Sequence, residues 1–139
     1  MSSHEIVTTW TGDMAFESEF PGYTLRMDAP ASPDSPPTGA SPKKLLLAAI
    51  AGCSGMDVVS ILKKMQQPLG WFEMRVEGEL TEAQPVYYKS MTMVYRFRES
   101  DGMDKERVAR AVELSQEKYC GVSALFKLAI PVEHRIEYI

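Results

Sequence analysis

Cys53 and Cys120 are the only two thiols in the chain, and 67 positions separate them. Thiols so placed either form a redox pair or serve as small core residues that never react. Cys53 lies midway along Ser41–Leu62, a segment with almost no polar face. Burial raises a thiol's pKa, and Asp57, one helical turn further on the same face, raises it again by like-charge repulsion. Reactivity at Cys53 therefore needs a nearby cation. Cys120 follows Glu117-Lys-Tyr and precedes Gly121-Val-Ser-Ala, where one helix stops and another begins. Free N–H groups at such a junction favour a thiolate and some exposure. Spacing alone does not bring the two sulfurs together.

Other chemistries find little support. There is no CxxC and no metal-like cluster by spacing, and His4 and His134 are far apart. No phosphate loop, GxGxxG or GxSxG occurs, so no cofactor is expected. His134 alternates onto the apolar face of the last strand, where a hydrogen-bonded structural histidine is the default. Asp28, just before a proline-rich stretch, reads as a turn acceptor or as an acid at a dimer site. The nine methionines read as adaptable core filler.

The elements that must hold these groups suit one domain spanning residues 1–139. A net charge of −4 with scattered basic residues argues against a nucleic-acid surface. The first residues lack the basic and apolar regions of a signal peptide. Leu45–Leu62 is 18 residues of mostly apolar sequence, near the lower limit for a membrane span. Asp57, two glycines, two serines and flanking lysines argue against insertion. A cytoplasmic location without membrane contact is expected, where a disulfide is transient.

Residues 5–28 read as strands around the turns Thr11-Gly-Asp and Pro21-Gly22. Residues 29–42 hold five prolines and form a stiff extended loop. Ser41 and Pro42 suit the N-cap and first position of a helix over 43–66. That helix is apolar nearly all round, which means burial on every side. In so small a chain a second copy most simply supplies the cover, so a homodimer is expected. Lys43 and Lys44 oppose the helix dipole and are either solvated or a positive field for an anion. Strands follow over 71–98, with Met91, Met93, Tyr95 and Phe97 inward. Asp104 caps helices over 104–128 that carry Val108, Ala111, Val112, Ser115 and Tyr119 on one stripe, and a strand over 131–138 closes the chain.

Taken together, the two cysteine segments resemble the OsmC/Ohr superfamily, the osmotically inducible and organic-hydroperoxide-resistance proteins. Ser41-Pro42 followed by an Ala/Leu-rich helix and Cys53 resembles that family's first cysteine helix. Met56–Lys64, and Leu114-Ser115 with Lys118–Ser123, are similar to its OsmC-like branch. The likeness runs from about Asp28 to the end of the chain. It implies an α+β fold, antiparallel strands wrapping long central helices in an intertwined homodimer. It further implies a thiol-dependent peroxidase acting on organic hydroperoxides. In that role Cys53 is the peroxidatic thiol and Cys120 resolves its sulfenate as a disulfide, which a dithiol reductant such as a lipoyl protein reopens. Characterised members support the thiolate with an Arg and a Glu. Here Lys43 stands at the Glu position, Arg26 is the only arginine before the helix, and Asp57 is the acid beside Cys53. The alternative is a catalytically weak or inactive dimer that binds a small hydrophobic or thiol-reactive ligand at its interface.

Overall fold

The computed structural model describes residues 2–30 and 32–139. The chain forms two compact units, Met1–Leu46 and Leu47–Ile139. In the first, β1 (Val7–Gly12), β2 (Ala15–Phe20) and β3 (Tyr23–Asp28) form an antiparallel meander. Phe20 pairs with Tyr23, so Pro21 and Gly22 make a two-residue turn. Gly22 takes a φ of 86°, the left-handed position that such a turn reserves for glycine. The proline-rich segment returns beside β3: Asp28 N–H donates to the Ala40 carbonyl at 3.0 Å, and Ala40 N–H donates to that of Arg26 at 2.9 Å. Asp28 is the turn acceptor. Its carboxylate receives the Thr38 amide at 2.8 Å and hydroxyl at 2.6 Å, bonds that lower its pKa, the hydroxyl's most.

Helix α1 runs from Pro42 to Lys64 and carries Cys53. By length and composition it could cross a membrane. Ile50, Ser54, Val58 and Leu62, four residues apart, are instead buried in the core of the second unit. The opposite face is open: Met56 is 75% and Val59 41% exposed. Within one chain only one stripe of the helix finds partners, and the rest of its apolar surface is left uncovered. A groove of about 590 Å³ lies there, lined largely by Ala51, Gly52, Gly55, Met56, Phe72 and Met74.

The partners of the buried stripe come from a second sheet, β4 (Phe72–Leu80), β5 (Tyr88–Phe97) and β6 (Val132–Tyr138), with β5 central. Alternation holds as read from the sequence, and Met91, Met93, Tyr95 and Phe97 are all at most 1% exposed. β4 and β5 are antiparallel, but β5 and β6 run parallel. An all-antiparallel set of strands is therefore incorrect for this sheet. The helices between β5 and β6 carry the chain back to its starting end, as a parallel pair requires. Those helices are α2 (Lys105–Leu114), a π turn over Ser115–Tyr119, and α3 (Gly121–Lys127). Asp104 caps α2 by accepting from the amides of Glu106 and Arg107 at 2.9 and 3.4 Å. Tyr119 leaves the predicted buried stripe and is 52% exposed, because the π turn shifts the helical phase after Ser115.

Candidate active site

Helix periodicity puts Cys53 and Asp57 one turn apart on α1, both partly buried beside the core stripe. The π turn supplies the other half. Its wider ring closes with Cys120 N–H donating to the Ser115 carbonyl at 2.8 Å, five residues back. The extra residue per turn buries the consecutive Ser115 and Gln116. Cys120 then leaves helical geometry and caps α3, its Sγ accepting from Ser123 N–H at 3.3 Å. As a result the Cys53 sulfur, the Cys120 sulfur and an Asp57 oxygen all lie within 4.8 Å of one another. Both cysteines are free thiols.

Exposure is the reverse of the sequence expectation. Cys120 is buried, at 3%, and Cys53 is the more accessible of the two. Nor does the junction make Cys120 a thiolate. Burial pushes its pKa up from the ordinary 9.0 to about 11. The Ser123 amide lowers it, but Cys53 and Asp57 add to the rise. The desolvation of a buried anion outweighs one amide bond, so Cys120 carries its proton at neutral pH.

A stability consequence follows. Between pH 9 and about 11 the unfolded chain has released the Cys120 proton while the folded chain keeps it. The folded state binds more protons there, so stability falls as pH rises through that window and is unaffected below it. Cys120→Ser should remove this share of the alkaline loss, read from urea denaturation midpoints at closely spaced pH.

Behind the sulfurs runs a buried polar chain that the sequence did not reveal. Gln116 Nε2 donates to the Tyr95 hydroxyl at 2.5 Å. Burial raises the Tyr95 pKa, so the phenol stays protonated and donates onward to Ser54 Oγ at 2.5 Å. Ser54 and Ser115 are 2.9 Å apart, and Ser115 Oγ donates to Asp57 Oδ2 at 3.0 Å. Because Ser115 directs its proton to the carboxylate, it accepts from Ser54, and every donor in the chain points towards Asp57. Ser123 Oγ donates to Gln116 Oε1 at 3.0 Å and so orients the amide. The chain anchors Asp57 on the side away from solvent. A cavity of about 390 Å³ opens on the other side, lined by Asp57, Ser60, Ile61, Lys64, Met65, Leu114 and Tyr119. Lys64, which sequence reasoning treated only as a helix flank, is its cationic lining residue.

Arg26 and Lys43 are the other supporting residues expected from the sequence. Arg26 belongs to the first unit, where it meets Thr38 at 3.0 Å, Thr11 at 3.4 Å and Glu17 at 3.6 Å. Lys43 is exposed in the first turn of α1. His134 packs edge-on to Tyr95 at 6.1 Å, and burial, helped by Lys127, lowers its pKa.

Residues 33–135 match the family model described as OsmC-like protein. The chain is 33% identical over 131 residues to Protein YhfA of Escherichia coli strain K12, covering 94% of each chain. It is similar in structure to a hypothetical protein from Aquifex aeolicus VF5, with a TM-score of 0.84 and 26% identity, covering 100% of this chain and 96% of that one. It also shares its fold with the organic hydroperoxide resistance protein OhrB of Bacillus subtilis, with a TM-score of 0.62 at 18% identity, covering 96% and 98%.

Proposed function

The chain belongs to the OsmC-like protein family, and on that premise we propose that it is a homodimeric, thiol-dependent peroxidase that reduces organic hydroperoxides in the cytoplasm. One observation carries the reading: a more accessible and a buried thiol whose sulfurs lie within 4.8 Å of each other. That separation leaves only a short movement to a disulfide, whose sulfurs are about 2.05 Å apart.

The chemistry needs no redox group beyond the two sulfurs. The Cys53 thiolate attacks the terminal oxygen of ROOH, the O–O bond breaks, and the departing alkoxide takes a proton and leaves as alcohol. Cys53 is now a sulfenic acid. Cys120 sulfur attacks the Cys53 sulfur, the S–OH bond breaks, and the Cys120 proton joins the hydroxide to leave as water. Cys120 arrives at this step protonated, with that proton in hand. An external dithiol then reduces the disulfide by exchange and becomes a disulfide itself. The cavity beside Asp57 suits the alkyl group, with Ile61, Met65 and Leu114 as apolar contacts and Lys64 as a cation in its lining.

The homodimer reading rests on the uncovered apolar face of α1. A second copy would cover that face, as a buried helix of this composition requires.

The test is mass spectrometry of the reduced protein after one equivalent of cumene hydroperoxide, with lipoamide- or dithiothreitol-coupled turnover in parallel. The expected product is lighter by two hydrogens and carries a Cys53–Cys120 linkage. Unmodified thiols and no turnover would overturn the enzyme reading in favour of a dimer that binds an apolar ligand.

A further inference from the structure

We propose that Cys53, Asp57 and Cys120 form a binding site for a thiophilic divalent cation of the zinc class. The ligands are 4 and 63 residues apart in sequence, which hides them from any spacing motif. The fold nonetheless brings one donor atom from each within 4.8 Å of the others. Small side-chain rotations are enough to close that span around an ion with metal–sulfur distances of about 2.3 Å and metal–oxygen distances of about 2.0–2.2 Å. Two sulfurs and one carboxylate make a three-ligand site, leaving a fourth position for water.

The surroundings are those of a supported site. Asp57 has one oxygen engaged by the Ser115 hydroxyl at 3.0 Å, which orients the carboxylate as a partner behind a metal ligand does. Ser115 is in turn held by Ser54, at the end of the Tyr95–Gln116 chain. Cys120 Sγ receives the Ser123 amide at 3.3 Å, a bond that supports a coordinated thiolate. The cavity of about 390 Å³ reaches Asp57 and gives the ion a way in.

The balance is simple. The hydrated ion sheds water, both S–H bonds break, two protons pass to solvent, and two metal–sulfur bonds form. No electron moves. Two positive charges arrive as two leave, so this partly buried site gains no net charge, which is what burial penalises most. The soft sulfurs select zinc-class ions over magnesium or calcium. The proposal rests on the cluster geometry and not on the peroxidase reading. Where both hold, a bound ion occupies the attacking sulfur and stops turnover until a chelator removes it.

Cobalt(II), a coloured stand-in for zinc, is titrated into reduced, chelator-stripped protein that has met no peroxide. The expected result is one ion per chain with a thiolate-to-cobalt charge-transfer band. That band is lost in Cys53→Ser and in Cys120→Ser, and binding is weakened in Asp57→Ala. In the unmodified chain, zinc should also slow alkylation of Cys53 at least tenfold, reversed by chelator, a readout that needs no variant to fold. No charge-transfer band in the reduced wild type, an equal band in either serine variant, or alkylation indifferent to zinc overturns the site. None of these outcomes bears on the peroxide test, which is run in chelator.

Discussion

Cys53→Ser should abolish hydroperoxide turnover, a loss on the order of 10³-fold or more, the scale on which enzymes suffer when their nucleophile is removed. Cys53 is the more accessible of the two sulfurs and lies in one cluster with Asp57, which lines the cavity. Cys120 cannot substitute for it, because the thiolate is the nucleophile and burial holds the Cys120 thiol up at about 11. At neutral pH that leaves only about one part in 10⁴ ionised. Cys120→Ser should behave differently. It should still consume one equivalent of hydroperoxide and hold a Cys53 sulfenate that a diketone reagent traps, while sustained turnover falls and further oxidation to the sulfinate rises. Single-turnover mass spectra and dithiol-coupled rates distinguish the two variants. Equal losses in both, or a sulfenate on Cys120 in the Cys53 variant, would refute the assignment of roles.

Met56→Glu with Val59→Glu should convert a dimer into monomers without unfolding the chain. Both side chains lie on the open face of α1, at 75% and 41% exposure, so neither contributes much to the core of its own unit. Covering two such side chains in each protomer contributes roughly 1.5–3 kcal/mol apiece when burial is complete. The double variant forfeits this and sets four carboxylates into one apolar contact, where desolvation costs several kcal/mol per ion. A weakening of at least ~10³-fold is expected, equivalent to about 4 kcal/mol. Light scattering coupled to size exclusion reads the mass directly, and circular dichroism checks that the helix persists. A wild type that runs as a monomer, or a double variant that stays dimeric, would remove α1 from the interface.

Much of the second unit was legible in the sequence because its signals are local. Alternation over β4 and β5 needs only neighbouring residues, as does the Asp104 cap. Tyr95 and Ser115 were readable as inward-facing for the same reason. Their partners were not. Ser54 is a single polar residue on the buried face of an apolar helix, and Gln116 a polar residue next to a buried stripe. Each is the kind of anomaly that signals a buried network, but the partners stand 21 to 62 residues away. Which face of α1 its own chain covers was not legible, because composition reports how apolar a helix is, while cover depends on which neighbours exist.

The cysteines divide along the same line. Sequence by itself determined that there are two of them, that one sits within an apolar helix with an acid one turn on, and that both segments resemble those of OsmC-like proteins. Local periodicity and motif are enough for that. Only the tertiary structure decided that the sulfurs meet with Asp57, that Cys120 is the buried and protonated partner, and that Lys64 lines the cavity. Those outcomes depend on a π turn that rotates Cys120 inwards and on packing between α1 and that turn. Desolvation and proximity belong to the folded chain, and no spacing of residues encodes them.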